Sequence, residues 1–319
     1  MKKFNFNHSK QLSELIFIDG ISRSGKSVLS GIIPCFYKVE QIRFFTLLEN
    51  INIALRFKKI DSSFAKSQIV TFLNETIYDG YLGRNINFRK KDQSSVYEYC
   101  DPSIYKKRLL SSEGGVTIKK ILKEKPSLLF QTHDVLANFQ YFKKLKLKCK
   151  LLEIFRNPFD TVYSWHRKGW GHRFVGDPQC FTIFIKHQDK NVPWYSYKNP
   201  KKWHNFNNIE RCSQNIIDLT NDSILSLKKE RGFKENIYPF KFEDFVTSPE
   251  NIINEISIFL KKKHIKNMTK KIKDANCPRI INEEDQIRKK FFIKENVNKK
   301  IFSSLLNLEK NYKKNFYSF

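Results

Sequence analysis

The stretch that decides the fold is LIFIDGISRSGKS, residues 15–27. Its first five residues form a short apolar run that ends at Gly20, which predicts a buried strand entering a loop. From Gly20 the sequence matches G-x-x-x-x-G-K-[ST] at every fixed position, and a helix is predicted next, over residues 28–36, ending near Pro34. A glycine-rich loop between a strand and a helix presents backbone N–H groups and the positive end of the helix dipole to an anion. The stretch therefore predicts an anion-binding P-loop.

Five residues of this loop are candidate anion ligands. Arg23 and Lys26 bring full positive charges that would neutralise phosphoryl or sulfonate oxygens. Ser24 and Ser27 bring hydroxyl groups that can donate to such oxygens, and Ser27 could instead ligate a metal. Gly25 allows the backbone to curl so that N–H groups point inward. Because nucleotide kinases and other NTPases share this motif, the loop predicts anion binding and leaves the reaction open.

The rest of the chain alternates strand-like and helix-like segments. Continuous apolar runs over residues 127–132, 150–155 and 237–242 predict three more strands, buried on both faces of a parallel sheet. Helices are predicted over most of residues 39–125, from Pro158 and Pro249 onward, and over residues 209–227 and 301–312. This alternation predicts an α/β fold, a doubly wound parallel sheet of the P-loop nucleotide-kinase-like type with helical insertions. Since the chain has no internal repeat and no Pro/Gly/Ser-rich linker, we expect one domain over residues 1–319.

The chain is strongly basic, because 59 lysines and arginines against 32 aspartates and glutamates give a net charge of +27. Such a charge favours contact with polyanions, including nucleic acid and anionic lipid. The sequence has no RNA- or DNA-binding motif, and its richness in Lys, Asn, Ile and Phe suggests that part of the charge reflects overall composition. We therefore expect no nucleic-acid partner, whereas peripheral contact with a membrane stays open.

Hydropathy and cysteine spacing indicate a cytoplasmic protein. The mean hydropathy is −0.53, and no apolar run approaches the ~18 residues of a membrane-spanning helix. No apolar segment typical of a signal peptide precedes the first strand. The six cysteines show no C-x-x-C spacing. We expect them to be reduced thiols that form neither a disulfide framework nor a zinc site.

A second anion site is predicted from RNPFDTVYS, residues 156–164. Arg156 comes at the carboxyl end of a predicted strand, where open α/β sheets hold their ligands. Ser164 follows Pro158 by under two helical turns, so Arg156 and Ser164 could clamp a phosphate from two sides. The pattern R-N-P-x-D-x-x-x-S resembles the motif with which sulfotransferases that use 3′-phosphoadenosine-5′-phosphosulfate (PAPS) bind the 3′-phosphate of that co-substrate.

Three further blocks resemble the same family. RSGKS, residues 23–27, is similar to its 5′-phosphosulfate loop, whose first basic residue, here Arg23, contacts the transferring group. The QTHD segment that ends at Asp134 is similar to its K-T-H segment, whose histidine deprotonates the acceptor hydroxyl. The resemblance makes His133 the candidate general base, with Asp134 as the fallback base or as the group that orients His133. KFEDFVTSPE, residues 241–250, is similar to its Y-E-D-L block.

The chain departs from the family pattern in three places. Lys26 stands where Thr or Ser is usual and completes a Walker A motif, which keeps a P-loop kinase using ATP and Mg²⁺ as an alternative. Gln131 stands where Lys is common. The C-terminal R-K-G-x-x-G of the family is echoed only by RKK at residues 288–290. These departures favour bacterial members that act on carbohydrates or other surface components.

The resemblance implies an enzyme that moves a sulfuryl group from PAPS to an acceptor hydroxyl by in-line transfer, without a metal. Arg23 and His133 would be catalytic, although His133 could also be a structural histidine at a strand end. The acceptor would be a carbohydrate or another hydroxylated molecule. A non-catalytic, basic polyanion-binding protein is the remaining alternative, and the oligomeric state is open.

Two long segments, residues 39–125 and 165–232, would be insertions on the acceptor side. Within the second, the basic and aromatic stretch 165–173 predicts either an acceptor groove with stacking rings or a solvated face over packed tryptophans. Further aromatic residues that could extend a groove are Trp194, Tyr195 and Trp203.

Overall fold

The computed structural model describes residues 6–173, 177–229, 235–265 and 267–314. Its strands are β1 (Glu14–Asp19), β2 (Arg43–Phe44), β3 (Ser127–Gln131), β4 (Cys149–Phe155), β5 (Phe184–His187), β6 (Lys190–Pro193) and β7 (Ile237–Lys241). Five of them form one parallel sheet in the order β2-β3-β1-β4-β7, whereas β5 and β6 form an antiparallel hairpin. The predicted α/β fold with its parallel sheet is confirmed, and the four predicted strands lie within one residue of their expected bounds.

Helices connect and follow these strands. They are α1 (Lys26–Ser30), α2 (Leu47–Arg56), α3 (Ser62–Tyr81), α4 (Ser103–Arg108), α5 (Gly115–Glu124), α6 (Phe139–Phe142), α7 (Pro158–Arg167), α8 (Trp170–Arg173), α9 (Pro200–Asn205), α10 (Asn208–Lys229), α11 (Phe242–Thr247), α12 (Pro249–Leu260), α13 (Met268–Asp274), α14 (Glu283–Asn296) and α15 (Lys299–Lys313). Because β1, β3 and β4 are parallel neighbours, their carboxyl ends meet at one edge of the sheet.

The central strand is β1, in which Leu15–Ile18 are fully buried. Phe17 pairs with Phe130 on β3 and with Leu151 on β4. The even-numbered apolar residues of β1 pack on one face with α1, α11 and α12. The odd-numbered ones pack on the other face with α2, α3 and α6. Helices therefore cover both faces of the sheet, which is the doubly wound arrangement predicted from its continuous apolar strands.

Two elements near the P-loop differ from the sequence predictions. The predicted helix over residues 28–36 is divided, since α1 ends at Ser30 and a 3₁₀ turn follows at Ile33–Cys35. Gly31 and Pro34 are weak helix formers, which accounts for the division. The edge strand β2 was not predicted, because two residues are too few to show a strand period. The predicted insertion boundary at residue 232 lies outside the described residues.

The prediction of reduced cysteines is wrong for one pair. Cys35 and Cys100 form a disulfide across 65 residues of sequence, with their Cα atoms 5.6 Å apart. Spacing along the chain carries no signal for such a pair, because only the fold brings residue 100 beside the turn after α1. The remaining cysteines are free thiols, namely Cys149, Cys180, Cys212 and Cys277. Within the described ranges, no helix has the length and apolarity needed to cross a membrane.

Candidate active site

The P-loop, residues 20–27, bends tightly beyond the carboxyl end of β1. Gly20 has φ 138°, and a Cβ atom placed on it would lie 2.5 Å from the carbonyl oxygen of Ile154. Gly25 has φ 105°, and a Cβ atom there would overlap the ring of Phe242. Both positions combine a left-handed backbone with close approach of a neighbour, so only glycine fits. The loop conformation thus follows directly from the two glycines of the motif.

The P-loop contacts the second predicted anion motif. The Arg23 Nε donates to Ser164 Oγ at 3.0 Å, and the Arg156 guanidinium donates to the Arg23 carbonyl oxygen at 2.9 Å. The indole of Trp165 donates to the Ser22 carbonyl oxygen at 2.7 Å. Arg23 and Arg156 both line a cavity of 690 Å³, named here the P-loop cavity, together with Lys26, Ser27 and Phe242. Two motifs separated by more than 120 residues therefore form one basic cavity.

Two buried donors in this region lack a protein partner. No described residue hydrogen-bonds to Ser24 Oγ or to Arg156 Nε, although both atoms are shielded from solvent. The Arg156 guanidinium lies over the Phe242 ring, 4.7 Å from its centroid. Buried polar atoms in proteins are nearly always bonded. Of the two residues, Arg156 lines the P-loop cavity, where its guanidinium fits a ligand with anionic oxygens.

Lys26 lies inside the loop. Its side chain is 3% exposed, and its amine donates to the carbonyl oxygens of Gly20 and Ile21, the latter at 3.1 Å. Burial lowers the pKa of Lys26 to about 8, while the carboxyl groups of Asp19 and Glu153 oppose that shift. The amine is therefore mainly protonated at pH 7, and its charge stabilises the loop from within.

His133 follows β3 and contacts an acid that the sequence did not reveal. Glu49 of α2 accepts through one oxygen, Oε1, from the backbone N–H of His133 at 2.6 Å, and the same oxygen lies 3.0 Å from His133 Nδ1. Nδ1 then carries the proton, which leaves Nε2 as an acceptor. No motif marks Glu49, because it is 84 residues from His133 in sequence and only the fold unites them.

The ionisation of this pair follows from its surroundings. Burial raises the pKa of Glu49 to about 8, so the carboxyl group is mainly protonated at pH 7. Partial burial of the ring, and then the charge of Lys26, lower the pKa of His133. Burial raises the pKa of Asp134 well above its usual value, and its Oδ2 accepts from Trp194 Nε1 at 3.2 Å. The imidazole is therefore neutral at pH 7 and its Nε2 can accept a proton, although its lowered pKa makes it a weak base, whereas a protonated Asp134 cannot accept one.

A second cavity of 340 Å³, named here the His133 cavity, adjoins the P-loop cavity. The two share three lining residues, Ser22, His133 and Trp170. Other walls of the His133 cavity come from Phe44, Glu49, Asp134, Arg173, Phe181 and Tyr195. His133 therefore stands between a basic cavity and one lined in part by aromatic rings, with 41% of its side chain exposed.

A protein-family model described as "Sulfotransferase domain" matches residues 14–312. The chain belongs to the sulfotransferase family. The resemblance inferred from four short motifs is thereby confirmed. A search of curated proteins gave no significant match.

Solved structures similar to this sulfotransferase include three bacterial ones. The sulfotransferase domain of the curacin biosynthetic pathway is 12% identical, with 81% of this chain and 77% of that chain covered and a TM-score of 0.42. The sulfotransferase domain of the Synechococcus PCC 7002 olefin synthase is 12% identical, with 84% and 79% covered and a TM-score of 0.43. Sulfotransferase STF9 from Mycobacterium avium is 13% identical, with 88% and 76% covered and a TM-score of 0.41.

The C-terminal part of the sulfotransferase supplies a wall that sequence patterns only partly indicated. Arg279 and Lys289 line the P-loop cavity, and Lys289 donates to Asp160 at 2.8 Å. Within residues 288–290, Arg288 and Lys289 both pair with Asp285, whereas Lys290 pairs with Glu309. Asp160 is the acid of the R-N-P-x-D pattern, and its contact with α14 shows that this acid holds the C-terminal wall in place.

The aromatic groove predicted from residues 165–173 and beyond exists only in part. Trp170 and Tyr195 line the His133 cavity. Trp194 and Trp203 are completely buried and belong to the core, so they cannot extend a surface. Both indole rings bury their large apolar surface in the core instead of presenting it to a ligand.

Proposed function

We propose that this sulfotransferase moves a sulfuryl group from PAPS to an acceptor hydroxyl, a reaction of the EC 2.8.2 type. The observation that carries the proposal is the contact of Arg23 with Ser164 and of Arg156 with the Arg23 carbonyl, at 3.0 and 2.9 Å. These contacts bring the loop suited to a 5′-phosphosulfate beside the pair suited to a 3′-phosphate, of which Arg156 lines the P-loop cavity and Ser164 lies behind Arg23. ATP, the co-substrate of the alternative kinase, has no 3′-phosphate that Arg156 and Ser164 could bind.

The protein groups fit an anion with charge at both ends. Arg23, Ser24, Gly25, Lys26 and Ser27 would bind the 5′ side through loop N–H groups, hydroxyls and positive charge. Arg156 and Ser164 would bind the 3′-phosphate. When bound, PAPS supplies a sulfuryl group that is already activated by its anhydride bond to the 5′-phosphate.

The catalytic roles follow from the charges of the site. Arg23, exposed in the P-loop cavity, would stabilise negative charge on the sulfonate and on the departing phosphate oxygen. His133 would take the acceptor proton on Nε2, while Glu49 holds Nδ1 and thereby orients the ring. Because positioning and electrostatics suffice for such a transfer, the proposal uses no metal.

The acceptor would enter from the His133 cavity. Its walls come from both long segments predicted as insertions, with Phe44 and Glu49 from the first and Trp170 and Tyr195 from the second. This placement supports the proposal that one domain, residues 1–319, carries its acceptor specificity on those insertions. A carbohydrate or another neutral hydroxylated molecule suits the aromatic walls, which can stack on a ring.

Calorimetric binding of 3′,5′-ADP and of ADP with Mg²⁺ tests the proposal. We expect 3′,5′-ADP to bind without Mg²⁺ and to lose about 10- to 100-fold in affinity in Arg156→Ala, which removes charge-assisted bonds. Arg167→Ala, on the exposed side of α7, is the matched control and should bind like the wild type. Preference for ADP with Mg²⁺ would instead support the kinase, for which Lys26 completes the motif.

A further inference from the structure

A third cavity, of 500 Å³, lies beside the edge strand β2 and is named here the edge cavity. Its lining is part apolar and part polar, and the apolar residues are Ile42, Phe44, Phe45, Phe72, Ile86, Val96 and Phe130. Neither the bound co-substrate nor the proton transfer proposed above uses this space. Its size lies in the range of cavities that hold small ligands.

The edge cavity adjoins the His133 cavity at one short segment. Phe44 lines both cavities. In the sheet, Phe44 pairs with Gln131, two residues before His133. Beyond Phe44 the chain passes through Thr46 to Glu49, and both of these line the His133 cavity. Neighbouring strands lie about 4.8 Å apart, so the Phe44 ring stands between the edge cavity and the end of β3 that precedes His133.

The wall of the edge cavity is built from stacked rings. Phe45 stacks on Phe72 with ring centroids 4.4 Å apart, and Phe72 lies 5.9 Å from Phe130. Phe44 and Phe45 are nevertheless 43% and 45% exposed. Adjacent exposed rings at a cavity mouth offer apolar surface that a ligand can cover.

The charges of the edge cavity do not favour an anion. Arg43 lines it and donates to the Asn85 carbonyl oxygen at 3.1 Å, but Glu75 and Asp79 line it as well. Two acids against one base would repel a sulfated or carboxylated polymer. A neutral, apolar segment is the occupant that this lining accommodates.

We propose that the edge cavity binds an apolar segment of the acceptor, next to the hydroxyl that His133 deprotonates. The inference rests on the proposed sulfuryl transfer and names its acceptor class, a neutral amphiphile with a hydroxylated head and an apolar tail. Burial of each methylene of that tail would strengthen binding by about four-fold.

The first experiment measures binding of the neutral fluorophore N-phenyl-1-naphthylamine with 3′,5′-ADP present. We expect one site per chain, with affinity at least ten-fold weaker in Ile86→Trp, which fills the cavity, and several-fold weaker in Phe45→Ala. Phe88→Ala is the matched control, because its ring is similarly exposed but contacts Tyr97 away from the edge cavity. Thermal melting and 3′,5′-ADP affinity verify that each variant is folded. Equal fluorophore affinity in the wild type and in Ile86→Trp would overturn the proposal.

The second experiment compares sulfuryl transfer to methyl and octyl β-D-glucoside, the latter below its micelle concentration. We expect kcat/KM to be at least ten-fold higher for the octyl compound. Ile86→Trp and Phe45→Ala should reduce that preference without changing transfer to the methyl compound. Equal kcat/KM values, or no transfer to either glucoside by protein that binds 3′,5′-ADP, would overturn the acceptor assignment. Failure to bind 3′,5′-ADP would contradict the proposed function itself.

Discussion

Replacing Glu49 tests whether this residue orients His133, the candidate general base. Glu49→Ala removes the oxygen that accepts from the His133 backbone N–H at 2.6 Å and lies 3.0 Å from Nδ1. Because Glu49 is only 7% exposed, the substitution also leaves a cavity where its side chain was. Second-sphere partners of this kind are worth about 10- to 100-fold in activity. We expect kcat to fall by that factor in Glu49→Ala, with the affinity for 3′,5′-ADP unchanged.

Glu49→Gln distinguishes a role of Glu49 in positioning His133 from a role of its negative charge. Because burial raises the pKa of Glu49 to about 8, the wild-type side chain is neutral at pH 7, and an amide oxygen can replace its carbonyl oxygen. Glu49→Gln should therefore keep most of kcat at pH 7. Because folding raises the pKa of this carboxyl group, the free energy of unfolding of the protein should decrease as the pH rises from about 4.5 to about 8. The loss is on the order of a few kcal/mol, and it should be absent in Glu49→Gln.

The assay is kcat and KM at pH 7 for both variants, with urea unfolding at pH 5 and pH 8. Glu113→Ala, a change at an exposed acid, serves as the control. Wild-type kcat in Glu49→Ala would refute the positioning role. An equal loss in Glu49→Gln and Glu49→Ala would refute the conclusion that the side chain is neutral.

Three further predictions concern other parts of the account. His133→Ala should lower kcat by about 10²- to 10⁴-fold without changing 3′,5′-ADP affinity, and unchanged turnover would remove the assignment of His133 as the base. Gly25→Ala should lower the free energy of unfolding by about 1–3 kcal/mol in urea melts, whereas Gly115→Ala, with open space at its Cβ, should not. Cys35 and Cys100 should be found linked by mass spectrometry of non-reduced peptides, and replacing both with serine should cost about 2–4 kcal/mol of stability; detection of both as free thiols would contradict the pairing.

The central sheet could be predicted because its strands carry their signal locally. Each of β1, β3 and β4 is a continuous apolar run, and the P-loop glycines specify their own backbone conformation. Edge strand β2 could not be predicted, since its two residues become a strand only by pairing with β3. The Cys35–Cys100 disulfide is likewise a product of the tertiary fold.

The residues of the candidate site likewise include some that the sequence indicated and some that it did not. Arg23, Arg156 and Ser164 stand at fixed spacings from a strand end, so the sequence indicated their clustering. Glu49 lies on a helix of ordinary composition, and its contact with His133 arises only when α2 packs beside the end of β3. The RKK echo at residues 288–290 did not place Lys289 in the site, because its position depends on how α14 returns to Asp160.

The central claim is that the cavity recognises a 3′-phosphate through Arg156 and Ser164. The most direct measurement compares the affinities of 3′,5′-ADP and 5′-AMP, which differ only in that group, for the wild type and for Arg156→Ala. The account predicts that the wild type prefers 3′,5′-ADP by about 10- to 100-fold and that most of this preference disappears in Arg156→Ala. Equal affinity of the wild type for the two nucleotides would contradict it.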